Sequence, residues 1–384
     1  MKYLFKTLAV ALLATMTLAS CEKDNNNPTG NDDQQAQAIA AQFVDHAVAP
    51  TYSALAAKAE LLASQLAALK ANPTDAGVRE ACETFLAARE EWEKSEAFLY
   101  GAAGDYGVDP HIDSWPLDED AFSTLMASPA MIAALDGEDG DVVAGERLGN
   151  ALLGFHGIEY ILFRDGQPRS ASAITADQWK YVVAVAGDLR NRCYQLEVGW
   201  IGDAAPASHI EKLEDIELPY TVAGGDYSYG ENMKNAGQAG STYPTPKAAL
   251  MNIVQGCIDI ADEVGTSKIG AAHSGEDPTY IESPYSQKSI IDFHNNIVSI
   301  QNTYLGGVED QRDESKSLHS YVKDLDAALD SRVVEAINNA LAKIDAMPAP
   351  FVNNIAAAAN GEAMEACAAL SEVLDEVVEK IRNN

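Results

Sequence analysis

The sequence predicts an all-α protein built as two helical bundles of about four helices each. Three observations carry that prediction. The chain is rich in Ala, Leu and Glu and poor in alternating β-branched runs. Long stretches repeat apolar residues with the 3.6-residue period of an amphipathic helix. Their ends are marked by the residues that stop helices.

In order, the periodicity predicts helices over 36–70, 76–101, 119–134, 141–164 and 175–201. A second group follows over 245–268, 286–305, 315–346 and 361–382. Asn72-Pro73 stops the first helix, Gly101 the second and Met347-Pro348 the penultimate one. No hairpin or strand series interrupts them. The Gly-, Asn-, Tyr- and Pro-rich stretch within 202–244 reads as a loop-rich connection. The expected organisation is an N-terminal bundle over 36–215, an inter-domain loop region over 216–244 and a C-terminal bundle over 245–384. Phe98-Leu99-Tyr100-Gly101 and Asn302-Thr303-Tyr304-Leu305-Gly306 close helices in the two halves, a hint of duplication too short to prove one.

The first 35 residues lie outside this frame. Lys2 and Lys6 precede an apolar run from Leu8 to Leu18. That run is far below the roughly 20 residues a membrane-spanning helix needs, and it fits a signal peptide over 1–20. Leu18-Ala19-Ser20-Cys21 resembles the lipobox of bacterial lipoproteins. The resemblance implies cleavage before Cys21, lipidation of its thiol and anchorage in a membrane, with two or three chains holding far more firmly than one. Residues 21–35 are polar and read as a flexible tether. The acidic residue after Cys21 resembles outer-membrane sorting signals, so the expected location is the cell envelope, at the outer membrane.

The chain has 384 residues and 26 Lys+Arg against 58 Asp+Glu, a net charge of −32. Loss of the signal peptide removes Lys2 and Lys6 and no acid, leaving −34. Such a field repels nucleic acid and anionic lipid headgroups. Neither GxGxxG nor GxxxxGK[ST] occurs, which argues against a nucleotide enzyme. Cys82, Cys193, Cys257 and Cys367 are widely spaced, with no CxxC. Four cysteines allow three pairings and the spacing favours none, so buried free thiols are the plainer reading.

The segment that carries chemistry is Asn150-Ala-Leu-Leu-Gly154-Phe-His156-Gly157-Ile-Glu159-Tyr160-Ile-Leu-Phe163. On a continuous helix, Leu152, His156, Glu159 and Phe163 fall within about 60° of one another. Gly154 and Gly157 fall on the opposite side, where a missing Cβ lets a neighbouring helix approach. The rest is apolar almost all round, so the segment should be buried. A buried His–Glu pair needs partners: each other, further side chains, water or a metal. An imidazole nitrogen and a carboxylate oxygen suit zinc or iron. On the bare pattern the plainer reading is a core hydrogen bond that organises packing.

GFHGIEY matches the GxHxxE motif of the imelysin-like proteins, which include the insulin-cleaving membrane protease and relatives of bacterial iron-uptake lipoproteins. Three further segments resemble that family: Trp92-Glu93-Lys94-Ser95-Glu96-Ala97-Phe98 with Ile112-Asp113-Ser114-Trp115-Pro116; Glu282-Ser283-Pro284-Tyr285-Ser286 continuing to Asp292-Phe293-His294-Asn295-Asn296; and Ile300 to Gly306. The resemblance implies two bundles with the functional cleft where they meet. It makes His156 and Glu159 candidate metal or ligand residues. Glu96, Asp113 and Trp115 would line the cleft from the first half, and Ser286, Asp292 and Asn296 from the second. Asp292, Asn296, Ser299 and Thr303 do share one face at helical spacing. By itself such a polar stripe reads as a solvated face; the resemblance makes it a cleft wall.

The family also carries a metallopeptidase label, but neither HExxH nor HxxEH occurs here, and no GxSxG elbow does. Nor are there the two Glu-x-x-His units of a ferritin-like di-iron centre. The expected function is therefore that of an envelope lipoprotein binding iron, another metal or a metal-containing ligand, in uptake or sequestration. Its cofactor would be a metal ion, iron or zinc, and its partners that ligand and an envelope permease or receptor. The alternatives are a metal-dependent peptidase and a structural protein with a non-catalytic His–Glu pair.

Overall fold

A computed structural model describes residues 28–384. The expected signal peptide, Cys21 and the first part of the expected tether lie outside the described residues; the rest of the expected tether, residues 28–35, is helical. The fold is helical, as predicted. Its helices are α1 (Pro28–Phe43), α2 (Ala49–Ala71), α3 (Asp75–Glu93), α4 (Ala102–Asp105), α5 (Val108–Ile112), α6 (Glu119–Met126), α7 (Pro129–Leu135), α8 (Gly140–Arg147), α9 (Gly154–Leu162) and α10 (Ala176–Ile201). There follow α11 (Ala207–Asp215), α12 (Tyr229–Lys234), α13 (Pro246–Glu263), α14 (Gly270–Ser274), α15 (Ser289–Leu305), α16 (Leu318–Leu325), α17 (Ala327–Asp345) and α18 (Ala358–Arg382). The one strand pair among the described residues is β1 (Phe163–Arg164) with β2 (Gln167–Pro168), antiparallel and two residues long.

In the N-terminal half α10 is the central helix, packed against α2, α8 and α9, while α2 also packs on α3. It is buried along most of its 26 residues and opens with a capping box in which Thr175 and Gln178 bond each other's backbone N–H groups. In the C-terminal half α13 and α17 both pack on α18, and α15 packs on α17 and α13. The halves meet where α3 and the 3-10 turn Glu96–Phe98 lie against α15 and α13, and where α1 crosses onto α13. The apolar residues of both halves form one contiguous core. No helix among the described residues is long and apolar enough to cross a membrane.

The structure departs from the sequence expectations at the joints. α1 starts at Pro28, ahead of the expected 36, and is tied to the C-terminal half by Asp32, which pairs with Lys247 and accepts a 3.0 Å hydrogen bond from Tyr321. The expected helix over 141–164 is broken by the extended residues Leu148 and Leu153, so Leu152 lies in a separate 3-10 turn, off the helix that carries His156. The stretch over 202–244 is not all loop: it holds α11 and α12. One shared feature of the halves was invisible beforehand. α1 and α13 each run into a π-helical turn, Val44–Val48 and Val264–Lys268. The four described cysteines are buried free thiols.

Candidate functional site

The site forms where α3, α5, α9, the second π turn, loop 281–288 and α15 converge. α3 is amphipathic, but Arg89 breaks its apolar face, one turn from Phe85 and one from Trp92. All three are buried, and the Arg89 guanidinium stacks 5.1 Å from the centre of the Phe155 ring. Its nitrogens reach three carboxylates: Glu93 at 2.5 Å, Glu282 at 2.5 Å, and Asp113. The planar five-donor fork of arginine suits that bridging role better than an ammonium would.

Asp113, at the C-terminal end of α5, has both oxygens engaged. Oδ1 accepts from Arg89 and lies 2.9 Å from His156 Nε2, and Oδ2 accepts from Trp92 Nε1 at 2.7 Å. His156 Nδ1 faces Glu159 Oε2 at 3.7 Å. Glu159 Oε1 accepts from the Ser286 backbone N–H at 2.7 Å, joining α9 to loop 281–288. Two residues of that loop, Ser283 and Gln287, have left-handed backbone (φ 50° and 60°), the kind of strain that clusters at binding sites. Ser283 Oγ donates to Asp292 at 2.5 Å, and Asn296 Nδ2 donates to Glu93 Oε2 at 2.5 Å. Lys268 Nζ donates to Glu282 Oε1 at 3.0 Å, with Glu96 at 3.6 Å and Glu93 at 3.9 Å.

Gly154 lets α9 enter this assembly. It has φ +62°, and a Cβ there would stand 1.8 Å from the carbonyl oxygen of Ile112, the residue before Asp113. The expected close approach is therefore real, but the neighbour is the backbone of α5. At Gly157 the neighbour is the hydroxyl of Tyr181 on α10, 2.5 Å from where a Cβ would be.

Every metal-ligand and cleft candidate named from the sequence falls in this region. His156, Glu159, Glu96, Asp113, Ser286, Asp292 and Asn296 are buried. Trp115 is half-buried and packs its ring 5.9 Å from His156, 5.1 Å from Tyr280 and 4.9 Å from the Lys268 ammonium. The polar stripe of α15 is not a solvated face: Asp292, Asn296, Ser299 and Thr303 are all buried. Ser299 Oγ even accepts from the Ala97 backbone N–H at 3.0 Å. Sequence reasoning missed the roles of Arg89, Glu93, Lys268 and Glu282. An arginine on the apolar face of α3 and a lone lysine among Gly, Ile and Ala were the available signals.

The charges do not balance. Six buried carboxylates (Glu93, Glu96, Asp113, Glu159, Glu282, Asp292) face three cationic groups, Arg89, Lys268 and His156. Burial opposes ionisation of Asp113, but Arg89 and then His156 outweigh it and hold its pKa well below the usual carboxylate range. Burial alone would lower the pKa of His156, yet its bond to Asp113 and the nearby Glu159 carboxylate push it up to about 9. Burial raises Asp292 to about 7 despite Arg89, and raises Glu93 and Glu96 well above the ordinary value. Several buried atoms have no hydrogen-bond partner among the described residues: Glu159 Oε2, Glu282 Oε2, Ser286 Oγ, Asn296 Oδ1 and Trp115 Nε1. Asp113, His156 and Glu282 each present a ligand atom, all within 4.8 Å of one another.

Residues 48–377 match the family model described as Imelysin. The chain belongs to the imelysin family. Among imelysin relatives, iron-regulated protein A of Synechococcus elongatus is 28% identical over 343 residues, covering 88% of this chain and 84% of that protein. The crystal structure of an iron-regulated protein A precursor from Parabacteroides distasonis is similar with a TM-score of 0.77 at 29% identity, covering 91% of this chain and 95% of that one. An imelysin-like protein from Psychrobacter arcticum, 12% identical, shares the fold with a TM-score of 0.57 over 91% of this chain and 93% of that one.

Proposed function

We propose that this imelysin-family protein binds iron, another metal ion or a metal-containing ligand at its buried polar centre. Lipids on Cys21 would hold it in the cell envelope, where it serves uptake or sequestration. The observation that carries the reading is the excess of buried carboxylate over buried cation. Such an excess is costly in a low-dielectric interior and is relieved by protons or by a metal ion. The donor set fits a metal. Asp113, His156 and Glu282 supply two oxygens and an imidazole nitrogen, a mixture that suits iron, manganese or zinc, and Glu282 and Glu159 each keep a free oxygen. The names of two relatives speak of regulation by iron, which supports iron as the cargo.

Without a metal, raised carboxyl groups such as Asp292 hold protons and His156 is an imidazolium. Metal binding then releases protons, so affinity weakens as pH falls. A Ser-His route to peptide hydrolysis has no support here: Ser286 Oγ has no hydrogen-bond partner among the described residues, so no base activates it.

The test is metal analysis and calorimetry on the mature protein with Zn²⁺ and, under anaerobic conditions, Fe²⁺. Wild type should retain about one ion per chain at pH 7 and release protons on binding. His156→Ala, Glu159→Ala and Glu282→Gln should lose it. No ion retained by folded wild type overturns the metal-ion reading. If the substitutions lower only the melting temperature and leave metal content unchanged, the His–Glu pair is structural. Chelator-sensitive cleavage of insulin chains, abolished by Glu159→Ala, would favour the peptidase.

A further inference from the structure

We propose that Lys268 is a tethered cation that fills the carboxylate cage of the metal-free protein and yields it to an incoming metal ion. This rests on the metal-binding reading above and adds the residue that sets how tightly the ion is held.

Lys268 is only 1% exposed, an unusual place for an ammonium. It closes the π-helical turn Val264–Lys268, whose wide ring is sealed by the Ile269 N–H bonding the Val264 carbonyl at 3.0 Å. Such single π turns recur at functional sites because the extra residue re-aims a side chain. Here the lysine is delivered among three acids from three segments: Glu93 at the end of α3, Glu96 in the following 3-10 turn, and Glu282 in loop 281–288. The ammonium occupies the place a free cation would take in that cage.

It is held more loosely than the Arg89 guanidinium. Arg89 bonds Asp113 and Glu282 through its fork and stacks on Phe155. Lys268 makes one hydrogen bond, to Glu282, and its two further carboxylates stand at 3.6 Å and 3.9 Å. The Trp115 ring supplies its fourth neighbour. A flexible four-carbon stem carrying a point charge can swing away; a planar fork tied to several partners cannot do so at similar cost.

Glu282 links the cage to the donor group. Its Oε1 is shared by Arg89 and Lys268, its Oε2 is buried without a partner, and it belongs to the Asp113, His156 and Glu282 set. A metal ion on Glu282 and an ammonium on the same carboxylate repel at close range. One must leave. The half-buried acids Asp109 and Glu263, which lie within electrostatic reach of Lys268, can receive its charge. The exchange keeps Glu282, the carboxylate common to the cage and the donor set, beside a cation in both states, so the metal-free protein need not unfold around a naked carboxylate.

The experiment compares full-length mature wild type, Lys268→Met and Lys268→Arg. Calorimetry with Zn²⁺ and anaerobic Fe²⁺ should show Lys268→Met binding at least about tenfold tighter than wild type, since a competing unit charge within ~4 Å is gone. Metal-free Lys268→Met should melt below wild type, and added Zn²⁺ should bring it back. A wild-type measurement covers the case in which Lys268→Met fails to fold. In protein carrying ¹⁵N-lysine, the Lys268 Nζ resonance, assigned by its loss in Lys268→Arg, should shift on Zn²⁺ titration. Lys268→Met binding equal to or weaker than wild type, or an Nζ resonance unmoved at saturating Zn²⁺, overturns the exchange while leaving the metal site intact. Failure of wild type and folded Lys268→Met alike to bind either ion overturns both readings.

Discussion

Replacing Gly154 by Ala tests whether the first glycine of the GxHxxE segment exists to seat α9 on α5. Two costs add. The backbone there is left-handed at φ +62°, which penalises any Cβ by roughly 1–2 kcal/mol. The new methyl would also stand 1.8 Å from the Ile112 carbonyl oxygen, and 2.3 Å and 2.4 Å from its carbonyl carbon and Cα. That contact has to open by more than about 1 Å through backbone movement, and overpacking of this kind costs about 1–3 kcal/mol. The expected destabilisation is therefore about 2–5 kcal/mol. Because Ile112 precedes Asp113, the shift should also pull the Asp113 carboxylate away from Arg89, Trp92 and His156 and weaken metal retention. Two other glycines calibrate the effect. Gly157→Ala meets the movable Tyr181 hydroxyl and endangers its 2.7 Å bond to the Leu152 carbonyl, a loss of about 1 kcal/mol. Gly149→Ala meets nothing within 4 Å at φ −75° and should stay within about 0.5 kcal/mol of wild type. Urea melts followed by circular dichroism would rank the three. A Gly154→Ala midpoint indistinguishable from that of Gly149→Ala would refute the packing argument.

Arg89→Met should cost about 3–5 kcal/mol in the metal-free protein, because it strands Asp113, Glu93 and Glu282 in the interior. Arg89→Lys should recover less than half of that, since one ammonium cannot span three carboxylates; denaturant titration of both decides it, and full recovery would sink the bridging role. The pH dependence of metal-free stability follows from His156 and Asp113 as a coupled pair. The folded imidazole titrates at about 9, above its ordinary value of 6.5, so its contribution is complete below about pH 6.5 and disappears as pH rises through 9. Asp113 is depressed, so its contribution is present above about pH 4 and fades in acid. Asp292, raised to about 7, makes stability fall further as pH climbs from about 4 to 7. Chemical denaturation across pH should find the alkaline loss flattened in His156→Gln, and equal wild-type stability at pH 6 and pH 10 would contradict the assignment.

The sequence by itself determined what short-range physics governs. A 3.6-residue period is a property of neighbouring side chains, so the helical class was readable, as was the closeness of His156 and Glu159, three residues apart on one turn. The motif order that marks the family was likewise a set of local strings. Only the tertiary structure decided the composition of the buried centre. Arg89 meets Glu282 across 193 positions, and Asn296 meets Glu93 across 203. Nothing near any of these residues announces its partner. The same reason explains the α15 stripe: Asp292, Asn296 and Ser299 look solvated in sequence because polar residues face water unless another polar surface covers them. The break after Leu148 was hidden as well, since the apolar pattern continues through a segment whose backbone turns for packing. A charge inside a protein is stable only through what surrounds it, and those surroundings come from distant parts of the chain.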